Sequence, residues 1–453
     1  MPTGSTDGDA SSPAATLARF VTRTTVDDVP EPARDAVVRA ITDTVGVTLA
    51  GLSAESATIA AGVTEFETGG GFPRADDAGR SRGDLALLYG TAAHALDYDD
   101  LSWAMDGHPS VVLLPPILAL VDDVEATGSE VVTAYAVGFE TACYVADPVS
   151  PAHYEAGWHA TSTFGALGSA ATAASLLDLD AEATATALNV AASTPAGTKE
   201  NFGSMTKPLH AGLAARSGVT AALLAADGFT AGEHALDGDR GFWALYGGGN
   251  AEPPDPPTSD GWRLADPGIH VKRYPACYFT HAAIAATRSL VVAQGIDPDA
   301  VATVRVAAAG GAGDALTYPD PETALQSKFS MQHAVAVALT ADRVGLEWFE
   351  RETLGDDALA VLRERVSFAV DESLPYDSHA ATVTVETTDG THSEVREHPP
   401  WTHDNPPTGA ELEAKFVDAA TRTVDESAAR EAFDRLQSLE AHDFETALSP
   451  IRP

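Results

Sequence analysis

Residues 251–261, AEPPDPPTSDG, separate two parts of the sequence that differ in hydrophobic periodicity. From about residue 15 up to this stretch, apolar residues recur at helical spacing, for example in GSEVVTAYAVGFETACYVA (128–146). DAEATATALNVAAS (180–193) predicts a further helix with Asp180 as its N-cap. Glycine and alanine at spacings of three and four residues indicate that these helices pack closely against one another.

After residue 261 the pattern changes to a mixture of strands and helices. TVRVAAA (303–309) and VSFAVDE (366–372) predict strands, and ATVTVETTDGTHSEVRE (381–397) predicts a hairpin that turns at Asp389-Gly390. Helices are predicted among these strands at about 281–294, 329–341 and 355–364, and helical spacing returns from Thr408.

We therefore predict a mostly α fold in which both ends of the chain form a large all-helical domain and a smaller α+β domain is inserted between them. The helical domain takes residues 15–265 and 405–453, and the α+β domain takes residues 266–404. Residues 1–14 are predicted to be a disordered tail. The sequence has no P-loop and no glycine-rich dinucleotide motif after a strand, so nucleotide chemistry is not expected.

The composition is strongly acidic, with 66 acidic against 27 basic residues and a net charge of -39 over 453 residues. Such a chain repels phosphates, which excludes nucleic acid and anionic membranes as partners. A hydrophobic content of 44% opposes disorder and predicts a folded core under an acidic surface, as in proteins of salt-adapted cells. We expect a cytoplasmic protein, because the N-terminus lacks a signal-peptide pattern and no apolar run reaches the roughly 20 residues that span a bilayer.

Two residue types are unusually rare. Cys143 and Cys277 give neither a disulfide framework nor the spacing of a zinc site, and we expect both to pack as small apolar groups. There are five lysines, at positions 199, 207, 272, 328 and 415. A lysine inside an apolar stretch of such a chain is therefore a candidate for a specific structural or functional role.

A polar insert interrupts two apolar runs near the middle of the helical part. HALDYDDLSWAMDGHPS (94–110) lies between LALLYGTAA (85–93) and VVLLPPILAL (111–120), both of which predict buried helix. The histidines and aspartates of the insert are therefore expected at the mouth of a core rather than on an open surface.

Four ionisable residues lie where helices are predicted to begin: His108 and Lys207 each precede a proline, His159 lies two residues before Thr161, and His281 opens an alanine-rich run. Free backbone N–H groups at helix starts favour anions. Cationic or proton-transferring side chains added there indicate a site for a small polycarboxylate.

A structural role remains the alternative for each of these residues. A single histidine near a helix start is often only a satisfied core group, and Asp99 or Asp100 could cap a helix or pair with arginine. For Lys207 a functional role is favoured, because burying an ammonium group costs free energy unless the group forms an ion pair or takes part in binding or catalysis. His210 lies three residues later on the same helical face.

Six stretches taken together resemble the MmgE/PrpD family, which includes 2-methylcitrate dehydratases, cis-aconitate decarboxylases and iminodisuccinate epimerases. The resemblance covers about residues 15 to 450. It implies a large helical domain with a smaller α+β lid, a homodimer, and neither a metal nor an organic cofactor. The stretches are, in order, AHALDYDD, GHPS, GWHATSTFGALG, TKPLHAGLAARSG, KRYPACYFTH and SKFSMQHAVAVAL.

The resemblance also assigns residues to a pocket. Leu101 stands where many members have threonine, which leaves Ser102 as the nearest hydroxyl, and His333 stands where many have tyrosine. Both departures bear on the choice of substrate. Carried over by motif, the catalytic residues of the family fall on Asp97, His108, His159, Lys207 and His281.

The chemistry that the family shares begins at a carbon next to a carboxylate. It needs cations that hold carboxylates and an acid or base at the reacting carbon. We expect Lys207 and Arg273 in the first role, with Lys272 and His210 close by, and the three histidines His108, His159 and His281 in the second.

The sequence thus predicts a cofactor-independent lyase that acts on a small tricarboxylate, with 2-methylcitrate dehydration as the first candidate. Cis-aconitate decarboxylation and iminodisuccinate-type epimerisation are the alternatives within the family. From other classes, a metal-dependent helical enzyme could use the DYDD run (97–100) as ligands, and a non-catalytic binding protein would leave Lys207 and the helix-start histidines unexplained.

Overall fold

The computed structural model describes residues 12–74, 81–247, 251–255, 257 and 261–452. Most of the predicted tail (1–14) therefore lies outside the described residues. Its end is helical instead of disordered: the first helix begins at Pro13, and the Ser12 hydroxyl caps it by accepting a hydrogen bond from the backbone N–H of Ala15 (3.3 Å).

The large domain is all-helical apart from a short two-stranded ribbon, and both ends of the chain contribute to its core. One continuous hydrophobic cluster contains residues from Ala14 to Ile269 together with residues from Leu412 to Ile451. This confirms the predicted fold class. The helices are α1 (Pro13–Arg23), α2 (Glu31–Gly51), α3 (Glu55–Thr64), α4 (Arg82–Ala95), α5 (Ser110–Leu120), α6 (Gly128–Ala146), α7 (Ala152–Glu155), α8 (Ala160–Leu176), α9 (Ala181–Ala191), α10 (Thr206–Ala226) and α11 (Phe242–Tyr246), and, after the inserted part, α18 (Gly409–Ala420), α19 (Glu426–Gln437) and α20 (Phe444–Leu448).

The inserted part is α+β and has its own hydrophobic cluster, which runs from Tyr274 to Val385. Its helices are α12 (His281–Gln294), α13 (Gly310–Ala315), α14 (Ala324–Ser327), α15 (Met331–Thr340), α16 (Arg351–Leu354) and α17 (Asp357–Arg365). Its strands are β3 (Val301–Ala308), β4 (Val366–Val370), β5 (Ala381–Thr387) and β6 (Gly390–Arg396).

These four strands form one sheet in the order β4-β3-β5-β6, with β3 and β4 parallel and the other pairs antiparallel. Every second residue of β5 is buried, namely Ala381, Val383 and Val385, as expected for a strand with one face on a core. The helix α12 covers that face, packing against β5, β6 and α15. The predicted strands and hairpin are thereby confirmed.

Two helices that carry site residues, α4 and α10, lie unusually close together because glycines face each other. A Cβ atom on Gly90 would lie 2.8 Å from the Cα of Gly212, and one on Gly212 would lie 2.3 Å from the carbonyl oxygen of Leu87. The helix α10 is long and apolar enough to cross a membrane by composition, but just over half of it is buried inside the protein, which is typical of a core helix.

A short two-stranded β-ribbon pairs two segments that are far apart in the sequence. The strands β1 (Asp100–Leu101) and β2 (His270–Val271) pair antiparallel, with Asp100 opposite Val271. This pairing brings the polar insert 94–110 against the segment that contains Lys272.

The four ionisable residues lie at or beside helix starts, as predicted. His108 comes just before α5, His159 is the N-cap residue of α8, Lys207 is the second residue of α10 and His281 is the first residue of α12. Pro208 is the third residue of its helix rather than the first, because α10 already begins at Thr206.

Candidate active site

A cavity of about 120 Å³ lies between the helical domain and the inserted part, since both contribute to its wall. Five residues predicted from the sequence line it: Asp97, His108, His159, Lys207 and Lys272. Apolar and aromatic side chains complete the wall, among them Leu101, Trp103, Phe202, Tyr278 and Phe329. The cavity combines a few polar groups with an apolar lining, as small-molecule sites do.

Two lysines share one aspartate at the buried end of the cavity. The Nζ of Lys207 lies 2.5 Å from Oδ1 of Asp97, and the Nζ of Lys272 lies 3.0 Å from Oδ2. All three side chains are at least 94% buried. Burial raises the pKa of Asp97, but the two ammonium groups outweigh this effect and hold it well below its usual range. Two buried cations on one carboxylate leave positive charge directed at the cavity.

The backbone explains how Asp97 reaches both lysines. The chain turns sharply after α4, where Asp97 adopts a left-handed conformation with φ of 51°. Lys272 also donates a hydrogen bond to the backbone carbonyl of Asp97 (3.1 Å), so the turn is held from two sides. The β1–β2 pairing places Lys272 directly across from this turn.

A third buried lysine lies behind this pair. Lys415 of α18 contacts the carboxylate of Asp43 at 2.7 Å and donates hydrogen bonds to the carbonyls of Tyr98 and Lys272, both at 2.8 Å. Lys415 does not line the cavity. It ties both site-bearing segments to the helices α2 and α18.

Asp99 bridges two histidines. Its Oδ2 lies 2.7 Å from Nδ1 of His108, and its Oδ1 lies 3.1 Å from Nδ1 of His94. The same Nδ1 of His108 also lies 2.7 Å from the carbonyl oxygen of Asp100. Burial raises the pKa of Asp99, but the two imidazoles hold it well below its usual range. Asp99 is therefore an ionised acceptor.

The surroundings of His108 and His159, which line the cavity, favour their neutral form. Burial lowers the pKa of His108, and the carboxylate of Asp99 opposes this only in part. Burial also lowers the pKa of His159 far below its usual value, helped by nearby cationic groups. The Nδ1 of His159 lies 3.1 Å from Nδ1 of His210, and its Nε2 is buried without a hydrogen-bond partner among the described residues. Neutral imidazoles of this kind are suited to accept a proton.

The solvent-facing end of the cavity differs from the buried end. Glu155 and Asp377 are exposed and Asp106 is half-buried, and all three line the cavity. The acidic surface thus reaches the entrance, whereas the buried cations lie at the bottom.

The aspartates of the DYDD run (97–100) do not converge on one point. Asp97 binds the lysines, Asp99 binds two imidazoles, and the carboxyl of Asp100 bonds the backbone and hydroxyl of Ser110. Among the described residues, one group has ligand atoms close enough together to share an ion, within 4.8 Å: His94, Asp99 and His108. The contacts of both imidazoles with the Asp99 carboxylate account for this closeness.

Two family models match almost the whole described chain. The MmgE/PrpD N-terminal domain matches residues 15–254, and the MmgE/PrpD C-terminal domain matches residues 274–440. The chain belongs to the MmgE/PrpD family.

Three relatives of this MmgE/PrpD chain are named cis-aconitate decarboxylase. Cis-aconitate decarboxylase of Mus musculus is 27% identical over 353 residues, which cover 75% of this chain and 72% of the mouse protein. The enzyme of Aspergillus terreus is 24% identical over 411 residues, covering 82% of this chain and 81% of that protein. The human enzyme is 34% identical over 203 residues, which span 43% of this chain and only 42% of the human protein. These similarities support the prediction that this chain is an enzyme.

Four of the five catalytic residues that the MmgE/PrpD resemblance assigned line the cavity, but His281 does not. Its side chain is fully buried, and its Nε2 bonds the carbonyl oxygen of Ala276 (3.2 Å). Its ring lies against that of Tyr278, which lines the cavity, with 4.8 Å between ring centres. His281 opens its helix as predicted but lies behind the wall of the cavity in this structure.

Of the five substrate-binding residues predicted for this MmgE/PrpD chain, Lys272 lines the cavity. Arg273 points the other way and lies 3.7 Å from Glu411 and over the ring of Trp401, half-exposed. Neighbouring residues in an extended segment project to opposite sides, so Lys272 and Arg273 could not both reach the cavity.

The remaining three of these residues also lie outside the cavity wall. The Ser102 hydroxyl donates a hydrogen bond to the carbonyl of Gly268 (2.7 Å), so it does not replace the hydroxyl that is missing at Leu101. His333 is fully buried and bonds the carbonyl of Trp348 (2.8 Å). His210 lies behind His159 and touches the cavity only through it.

Sequence reasoning left His94, Asp99 and Lys415 out of the site. His94 and Asp99 belong to the polar insert, whose flanking apolar runs were a signal that its polar side chains are buried. The rarity of lysine was the signal for Lys415, which is 3% exposed although it lies in an ordinary amphipathic helix.

Proposed function

We propose that this protein is a lyase that decarboxylates cis-aconitate without a cofactor. The observation that carries the proposal is the buried group Lys207–Asp97–Lys272 in a cavity that neutral histidines also line. Two ammonium groups that share one carboxylate can bind a polycarboxylate anion. The names of the relatives supply the substrate and the type of reaction.

The reaction needs electrostatic stabilisation and one proton. The bond from the methylene carbon of cis-aconitate to its carboxylate breaks and releases carbon dioxide. Its electron pair forms a new double bond between the methylene carbon and the central carbon. The electron pair of the old double bond moves to the other carbon of that bond, which bears a carboxylate, and this carbon takes up a proton to give itaconate. Negative charge develops beside a carboxylate, where Lys207 and Lys272 would stabilise it.

His108 and His159 are the candidate proton donors, because both line the cavity. Burial lowers the pKa of both imidazoles. A bound trianion places negative charge beside the imidazoles, which raises their pKa and favours the protonated form. Solvent returns the proton after each turnover.

Dehydration of 2-methylcitrate is the second candidate, and the low pKa of the two histidines favours it. Dehydration begins with removal of a C–H proton next to a carboxylate, which requires a neutral base. The lowered pKa of His108 and of His159 favours the neutral imidazole, which can act as such a base. An epimerisation would use the same first step.

The test is to incubate the purified protein, in high salt, separately with cis-aconitate, 2-methylcitrate and citrate, and to follow the products by NMR in D₂O. We expect itaconate that carries a single deuterium on its methylene carbon, with activity that survives a chelator. Consumption of 2-methylcitrate while cis-aconitate stays unchanged would replace this proposal by the dehydratase. Activity that disappears with chelator and returns with added metal would support the metal-dependent alternative.

A further inference from the structure

We propose that Asp99 is a positioning residue for His108: together with the carbonyl of Asp100 its carboxylate keeps the proton of His108 on Nδ1, and the same carboxylate holds His94 beside it. This rests on the proposed function, because it takes His108 as the group that exchanges a proton with the substrate. Asp99 itself does not line the cavity.

Hydrogen bonding determines where the proton of His108 lies. Its Nδ1 faces two acceptors, Oδ2 of Asp99 and the carbonyl oxygen of Asp100, each at 2.7 Å. An imidazole nitrogen between two acceptors must carry the hydrogen. The Nε2 of neutral His108 is therefore the free lone pair, on the edge of the ring away from Asp99.

His94 is held in the same way from the other side of the carboxylate. Its Nδ1 lies 3.1 Å from Oδ1 of Asp99, and its ring lies 4.6 Å from that of His108 between centres. His94 is 1% exposed, and its Nε2 has no hydrogen-bond partner in the part of the chain that the structure describes. The Nδ1 of His94 also lies 3.2 Å from Oδ2 of Asp99, the oxygen that faces His108, so one carboxylate contacts both imidazoles and links their positions.

The arrangement has a consequence when His108 takes up a proton. The imidazolium then lies 2.7 Å from an ionised carboxylate in a site of low dielectric, where an ion pair is strong. Aspartate performs this same pair of tasks, fixing a tautomer and stabilising the imidazolium, beside other catalytic histidines.

The substitution Asp99→Asn removes the charge and one acceptor. An amide offers one oxygen and one NH₂ group, so it cannot accept a hydrogen bond from both imidazoles on separate oxygens. We expect kcat/KM for the lyase reaction to fall roughly 100-fold, the lower range for loss of acid–base catalysis.

Asp100→Asn is the matched control, since Asp100 is the adjacent residue, is equally buried and is already uncharged at neutral pH. Burial raises the pKa of Asp100 to about 8. Its carboxyl bonds the backbone and hydroxyl of Ser110, and an amide can make both bonds. We expect its kcat/KM to stay within about threefold of wild type, because its side chain bonds neither histidine.

A spectroscopic measurement tests the proposal independently of activity. In protein labelled with ¹⁵N-histidine, nitrogen shifts distinguish the two tautomers, and the His108→Asn variant identifies the signals of His108 among those of the 14 histidines. We expect the proton of His108 on Nδ1 in the wild type. In Asp99→Asn, we expect at least one of His94 and His108 to change its tautomer or lose its Nδ1 hydrogen bond.

Two results would overturn the proposal: a wild-type His108 that carries its proton on Nε2, or an Asp99→Asn variant that folds and keeps kcat/KM within threefold of wild type. If Asp99→Asn does not fold, the wild-type nitrogen shifts of His94 decide, since its Nδ1 lies against the Asp99 carboxylate, and a proton on Nε2 of His94 would overturn the proposal. If none of the tested acids is turned over, the proposed reaction fails, whereas the nitrogen shifts test Asp99 separately.

Discussion

Among single residues, the lysines are unusual because most of them are buried. Four of the five lysines are less than 9% exposed, namely Lys207, Lys272, Lys328 and Lys415. Three of them contact a buried aspartate. Within the described part of the chain, by contrast, the ammonium of Lys328 bonds only the carbonyl of Pro275 (2.9 Å) and lies over the ring of Phe349. A buried ammonium without a carboxylate partner is expensive, so Lys328 should reduce stability.

The first prediction concerns Lys328 and pH. Burial lowers its pKa to about 7 in the folded protein, whereas the unfolded chain keeps the ordinary value near 10.4. Between these values the unfolded state binds more protons, so this group makes the free energy of unfolding rise from pH 7 to about pH 10.

Lys328→Met should remove that contribution. We expect the variant to be more stable than wild type at pH 7 and the difference to shrink toward pH 10, measured by denaturant unfolding across this range. A difference in unfolding free energy that does not change with pH would contradict the assignment.

At the scale of elements, local signals fixed most boundaries but not the directions of side chains. The alanine-rich run of α12 starts after Thr280 and stops at Gly295, whose left-handed conformation with φ of 63° ends the helix, so its bounds were predictable. Lys272 and Arg273 looked equivalent in sequence, yet only the pairing of β1 with β2, a contact across about 170 residues, determines which one faces the cavity.

The second prediction concerns the Lys415–Asp43 pair, which joins α18 to α2 behind the cavity. Lys415→Met leaves Asp43 buried without its partner and frees the carbonyls of Tyr98 and Lys272. Breaking a buried pair from one side costs about 3–5 kcal/mol. We expect a lower melting temperature together with lower kcat/KM, because both site-bearing segments lose this anchor.

The double variant Asp43→Asn/Lys415→Met removes the unpaired charge. We expect it to recover part of the lost stability but little of the activity, since the amide cannot anchor the two carbonyls. Additive losses of stability in the double-mutant cycle would show that the two residues do not act as a pair.

At the scale of the whole molecule, acidic charge is concentrated on the surface. Among the described residues, only five of the acidic side chains are buried: Asp43, Asp97, Asp99, Asp100 and Glu140. Because most lysines are buried as well, the surface repels itself strongly at low ionic strength.

The third prediction follows from that surface. The melting temperature should rise markedly from low to molar salt, since salt screens repulsion between exposed charges but has little effect on buried pairs. Thermal unfolding over a series of KCl concentrations measures it. A melting temperature that does not change with KCl concentration would show that repulsion between surface charges does not destabilise the fold.

The lysine pair on Asp97 is expected to bind the tricarboxylate, and a comparison of Lys207 with Arg273 tests this role. Sequence placed both Lys207 and Arg273 in the pocket, but the structure places only Lys207 in the cavity. The measurement is kcat/KM for itaconate formation by Lys207→Ala and Arg273→Ala, with melting temperatures from the same samples.

We expect Lys207→Ala to lose about 2–4 kcal/mol of transition-state stabilisation, the range for one charge-stabilising donor. Its fold should persist, because Asp97 keeps Lys272 as a partner at 3.0 Å. Arg273→Ala should stay within about threefold of wild type. A Lys207→Ala protein with a lowered melting temperature but undiminished turnover, or a larger loss of activity in Arg273→Ala, would contradict the account.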